Sequence, residues 1–208
     1  MNHLMLIKIF FGLRDKSSFY DSLIIITALM LYSINCNSTN YKKLSIENPN
    51  ELIAIEDSLL KISSTETVYD ALSIAHNAIG IKALQDQDFL KAKNHFSRAM
   101  SLSKNQTIYL YNYYITEGHL LLKKGNKSGL WDGIEFYYKA ASLMPNLGEP
   151  YFYIGQSYQK IGNTDFDLII ESYNNALQLT LTDELRGKTN FELNNITERK
   201  NRLESFWK

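Results

Sequence analysis

The chain has 208 residues, 45% of them apolar and 21% charged, proportions that exclude wholesale disorder and a multi-span membrane protein and make one domain the default. Lys plus Arg and Asp plus Glu both number 22, and residues 36–208 hold 19 basic against 20 acidic groups, so no excess charge points to nucleic acid. Cys36 is the only cysteine, which excludes an internal disulfide framework and any zinc site that needs two thiolates.

In chain order, the first element is an uncharged run of twelve residues, Leu23–Ile34, preceded by Lys8, Arg14 and Lys16. As a helix it spans about 18 Å, short of the roughly 30 Å hydrocarbon core, so it suits a signal-peptide core better than a permanent anchor. Cys36 follows at once, and the polar stretch Asn37–Lys43 follows that. The arrangement resembles a bacterial lipoprotein signal, in which the cysteine after the apolar run receives a diacylglyceryl group and becomes the mature N-terminus. Asn35 stands where the strict pattern has Gly, Ala or Ser. The resemblance implies a signal over residues 1–35, a lipid anchor on Cys36, a linker over 36–48, and a place on a bacterial envelope membrane. An uncleaved signal anchor or an ordinary cleaved signal is the alternative.

Residues 49–208 read as one helical unit. Pro49-Asn50-Glu51 with Leu52, Ile53, Ile55, Leu59, Leu60 and Ile62 predicts a short amphipathic helix. Ser63–Thr67 then offers caps before the run that starts at Val68, and Asp86-Gln87-Asp88 breaks the first pair of helices. Gly80 is followed twelve residues later by Ala92, then by Phe96, Ala99 and Lys104. A second segment offers Leu110, Tyr113 and Tyr114, then Gly133, Tyr137, Ala140 and Pro145, with extra residues around Gly125–Gly129 expected to lengthen its turn. A third offers Tyr151, Ile154-Gly155 and Tyr158, then Tyr173 and Ala176, with an insertion expected near Thr164–Asp167. Small residues let two helices approach closely, and the aromatic residues fill the space between neighbouring pairs. Leu193, Ile196, Leu203 and Trp207, with charges between them, predict a capping helix.

These spacings resemble tetratricopeptide repeats, with Lys104 in place of the usual proline, over about 73–106, 107–147 and 148–181. The resemblance implies an all-α, right-handed α-solenoid of about three helix hairpins with a C-terminal cap. It also implies that the first helix of each repeat lines a concave groove. The groove-facing positions of the family, the second, fifth, ninth, twelfth and thirteenth of each repeat, map to residues including Asn77, Gln85, Tyr111, His119, Phe152, Gln156 and Lys160. This set lacks the basic cluster with which some members clamp a peptide's carboxylate, so an apolar or aromatic-anchored peptide or helix is expected. The competing expectation is a groove filled by the chain's own terminal helices, with binding on the convex side or at Gly125–Gly129.

Residues suited to catalysis are sparse. His76, His95 and His119 show no metal-ligand spacing, and His76 and His95 are expected to be structural or surface residues. Gly125-Asn126-Lys127-Ser128-Gly129 lacks the leading glycine and the strand of a phosphate loop, and Glu56-Asp57 and Asp183-Glu184 are neighbours that point to different sides of a helix. The expectation is therefore a membrane-anchored protein–protein interaction module or assembly scaffold in a bacterial cell envelope. It has a protein or peptide partner, no nucleic acid, no cofactor, no metal and no enzymatic activity. An envelope enzyme or enzyme accessory subunit is the alternative.

Overall fold

The computed structural model describes residues 41–104, 106–162 and 165–207. The expected signal and Cys36 lie outside the described residues. After a helical segment over 41–47 the elements are α1 (Pro49–Ala54), α2 (Glu56–Ile62), α3 (Glu66–Gln85), α4 (Phe89–Leu102), α5 (Thr107–Lys124), α6 (Lys127–Leu143), α7 (Glu149–Ile161), α8 (Phe166–Gln178) and α9 (Asp183–Phe206). Helices α3/α4, α5/α6 and α7/α8 are three tetratricopeptide-like hairpins stacked in series, and α9 packs on α8 as the cap. The chain is an α-solenoid. Among the described residues no helix is long and apolar enough to cross a membrane.

Each hairpin closes on the same contact. The Cβ that Gly80 lacks would stand 2.6 Å from the Phe96 ring, the one that Gly155 lacks 2.7 Å from the Tyr173 ring, and Gly118 meets Tyr137 in the same way. All three rings are fully buried, as are the alanines three residues beyond them, Ala99, Ala140 and Ala176. A residue without a side chain on the first helix thus accepts a ring from the second, which fixes the depth of each hairpin. Gly118, at intervals of 38 and 37 residues from Gly80 and Gly155, completes the series.

The turns follow local chemistry. Gln87 adopts the left-handed region at φ 59°, and the Asp88 carboxylate accepts the Lys91 N–H at 3.2 Å to cap α4. Gly125 ends α5 at φ 69°, a conformation glycine adopts without a Cβ penalty. The expected long turn at Gly125–Gly129 is only Gly125-Asn126, because Lys127-Ser128-Gly129 form the first turn of α6. The additional residues lengthen the second helix of that hairpin: α6 has 17 residues against 14 in α4 and 13 in α8. Of the expected third insertion, Thr164 lies outside the described residues, and α8 begins at Phe166.

Two flanking regions differ from expectation. Residues 41–47, expected as linker, are helical, and Tyr41 and Leu44 pack against the cluster of Leu52, Leu59, Val68, Ala71, Leu72 and Ala75. Their spacing of three puts both on one helical face, a signal that the polar residues around them hid. At the other end, Ile196 is buried with Phe152, Ile169, Tyr173 and Ala176, while Trp207 is 82% exposed. The reason is length: α9 has 24 residues against 13 in α8, and Lys200 already pairs with Asp167 at the start of α8. The last turns of α9 therefore run past the helix that would cover them.

Candidate partner-binding groove

The first helices of the three hairpins are stapled to one another by polar side chains. Between α3 and α5, Ser73 Oγ lies 3.2 Å from the Tyr109 hydroxyl, and the Asn112 amide donates to Asn77 Oδ1 at 2.9 Å. Between α5 and α7, the Tyr111 hydroxyl donates to Glu149 Oε2 at 2.9 Å, and Lys160 Nζ donates to the Leu122 carbonyl at 3.3 Å. These bonds hold α3, α5 and α7 side by side, so that one surface is shared by three successive repeats.

A cavity of about 540 Å³ opens on that surface. Leu84, Gln85 and Gln87 come from the end of α3 and its turn, Phe89 from α4, His119, Leu122 and Lys123 from α5, and Glu149, Tyr153 and Lys160 from α7. A second cavity of about 400 Å³ continues the surface toward α9, lined by Leu147, Thr180, Leu181, Thr182, Glu184, Leu185 and Lys188. Glu149 and Tyr153 line both. The segment before α7 is fixed by a backbone bridge: Gly148 N–H donates to the Thr180 carbonyl, and Thr180 N–H donates to that of Asn146, both at 2.9 Å.

The floor is aromatic. His119 Nδ1 lies 2.8 Å from the Tyr137 hydroxyl, its ring stands edge-on to Tyr153 at 4.3 Å between centroids, and Phe89 lies 5.2 Å away on another side. Tyr153 stacks on Tyr137 at 5.5 Å with 18° between the ring planes. Burial drives the His119 imidazole down to about 4, so it is neutral at physiological pH and acts as a packing group with one hydrogen bond. Burial, then the nearby Glu149 charge, pushes the Tyr153 hydroxyl up to about 12. Burial raises the Glu149 carboxyl above the usual carboxylate range, against the lowering effect of the Tyr111 hydrogen bond.

Of the seven groove residues expected from the sequence, Gln85, His119 and Lys160 meet at this one cavity. Asn77 is half-buried and tied to Asn112, and Gln156 is half-buried on α7. Tyr111 and Phe152 are 4% and 2% exposed and belong to the core, Phe152 packing with Ile196 of the capping helix. Neither ring is open to a partner. The groove's tyrosine is Tyr153, one residue on from Phe152; a step of one residue turns a side chain by about 100° around the helix. Glu149 carries no sign in the sequence, since one carboxylate in a first helical turn reads as an ordinary N-terminal preference.

A second polar cluster lies at the opposite end. His76 Nε2 bonds to Glu56 Oε2 at 2.8 Å, His76 Nδ1 lies 3.0 Å from His95 Nδ1, and Arg98 donates twice to Glu56 Oε1. It fastens α2 to α3 and α4. Separations of 19 and 20 residues gave no local sign of it.

No family model matches the chain, and no curated protein matches it. Among solved structures, MamA from residue 41 to the end, from Desulfovibrio magneticus RS-1, is similar over 76% of this chain and 89% of that chain, with 18% identity and a TM-score of 0.47.

Proposed function

We propose that the protein is an interaction scaffold that receives a segment of another protein along the surface shared by α3, α5 and α7, and that it is held at a bacterial envelope membrane through a lipidated Cys36. The observation that carries the reading is the convergence of Gln85, His119 and Lys160, from three successive first helices, on one continuous groove. Its width is set by helix packing and its floor by buried rings, so it is formed before any partner arrives, and preorganisation lowers the cost of ordering on binding. Aromatic floor and polar rim are the combination that gives a short segment both affinity and register. Among the described residues the histidines serve packing and structural bonds, His119 in the groove floor and His76 and His95 at the Glu56 cluster.

The test is crosslinking in membranes, with the partner identified from the wild-type chain and its recovery compared across variants. Gln85 and Lys160 are exposed and carry the comparison, whereas alanine at Tyr111 or Phe152 would report on the core instead. Gln85→Trp and Lys160→Glu should each cut recovery severalfold, and Gln85→Trp, which breaks none of the bonds between the first helices, should melt as the wild type does. Full recovery with both variants would move the binding face elsewhere.

A further inference from the structure

We infer that Glu149 is the anchoring carboxylate for one Lys or Arg side chain of the segment that the groove receives, an inference that rests on the groove being the binding face. Among the described residues Glu56 is buried and Glu117, Glu149 and Glu192 are half-buried; Glu192, on the capping helix and outside the groove, takes the Gln159 amide, and two of the other three meet a cation from within the chain. Glu56 is held by Arg98 and His76, and Glu117 by Lys93 at 2.5 Å. Glu149 has the Tyr111 hydroxyl on Oε2 and, among the described residues, no cation.

The nearby lysines are engaged elsewhere: Lys123 sits over the Phe89 ring at 5.5 Å, Lys160 reaches the Leu122 carbonyl, and Lys188 pairs with Glu184 at 2.6 Å. A half-buried carboxylate whose one side-chain partner is a neutral hydroxyl is open to a stronger partner, and an arriving guanidinium or ammonium supplies it. Because Glu149 and Tyr153 line both cavities, a segment running along the groove passes over them. Leu84 and Phe89 offer apolar wall to the methylene stem of a long basic side chain. Burial raises the Glu149 carboxyl, and no cation of the described residues offsets that.

A displayed library of random peptides, selected on the full-length protein in detergent, reads the inference directly. Peptides whose binding is lost with Gln85→Trp should share one basic position. Replacing that Arg by citrulline, or that Lys by norleucine, should weaken binding about tenfold, the worth of one charge-assisted contact. On Glu149→Gln, which keeps an acceptor for the Tyr111 hydroxyl, the charged and uncharged peptides should bind alike. Groove-binding peptides with no shared cation, or an unchanged tenfold difference on Glu149→Gln, overturn the anchor and leave the groove reading standing. A library that yields no peptide sensitive to Gln85→Trp overturns both. The peptide substitutions are made against wild-type protein, so the outcome does not depend on how Glu149→Gln folds.

Discussion

Gly118 lies so close beneath the ring of Tyr137 that a methyl group on it would overlap the ring edge, and the ring has nowhere to go. Tyr137 is fully buried, bonded to His119 on one side and stacked on Tyr153 on another. The same geometry recurs at Gly155 against Tyr173, whose hydroxyl donates to Gln159 Oε1 at 2.8 Å. Gly155→Leu should therefore cost on the order of 1–3 kcal/mol by overpacking, despite leucine's better helix propensity. In a chain of this size that lowers the melting temperature by roughly 5 °C, read by circular dichroism at 222 nm. An unchanged midpoint would contradict the pairing of α7 with α8.

Neutral, buried His119 makes stability depend on pH. Its folded pKa, about 4, lies below the ordinary 6.5, so the unfolded chain binds the additional proton between those values. Stability is then full above pH 6.5, falls as pH drops toward 4, and loses up to about 3 kcal/mol across that window. His95, also lowered by burial and then by the His76 charge, adds in the same sense. Denaturant unfolding of His119→Gln, which can still accept from the Tyr137 hydroxyl, should show a shallower slope between pH 6.5 and 4 than the wild type. Parallel slopes would place a charged or solvated imidazole at position 119.

The Glu56 cluster predicts a different acid limb. Burial opposes its charge, but hydrogen bonds from His76 and Arg98 outweigh that and hold the carboxyl below its usual 4.5. The contribution is present above pH 4.5 and disappears as pH falls through the lowered value. Glu56→Ala should cost about 2 kcal/mol at pH 7 through lost charge-assisted bonds. Because the cluster links α2 to α3 and α4, hydrogen exchange should accelerate first across residues 49–62. Uniform acceleration along the solenoid would argue against local docking.

Cys36 as the anchor predicts that Cys36→Ala accumulates as an unprocessed precursor without lipid. Two acyl chains give stable attachment where one is marginal, so the wild type should partition into the detergent phase and the variant's mature form should be missing. Normal processing and partitioning of the variant would contradict the lipoprotein reading.

The hairpins were legible because their signal is periodic: small residues and rings at fixed intervals betray helix pairing even where Lys104 replaces a proline. Helix phase was less so. Family positions put Phe152 in the groove, yet one residue of phase separates it from Tyr153, and the capping helix claims the Phe152 ring through Ile196. The glycine-rich stretch at 125–129 looked like a loop by composition, but its last three residues continue as helix once Gly125 has turned the chain. Glu149 and the Glu56–His76–His95 cluster depend on residues 19 to 42 positions apart meeting in space, which no local pattern records.

Site-specific photocrosslinking in the native membrane tests the central claim most directly. A photoreactive residue at Gln85, inside the groove, is compared with the same residue at exposed Asn94 on α4 and Asn174 on α8. The binding face proposed above predicts a discrete protein adduct from position 85 and none from 94 or 174. Adducts from 94 or 174 with nothing from 85 would contradict it and place the partner on the second helices of the hairpins.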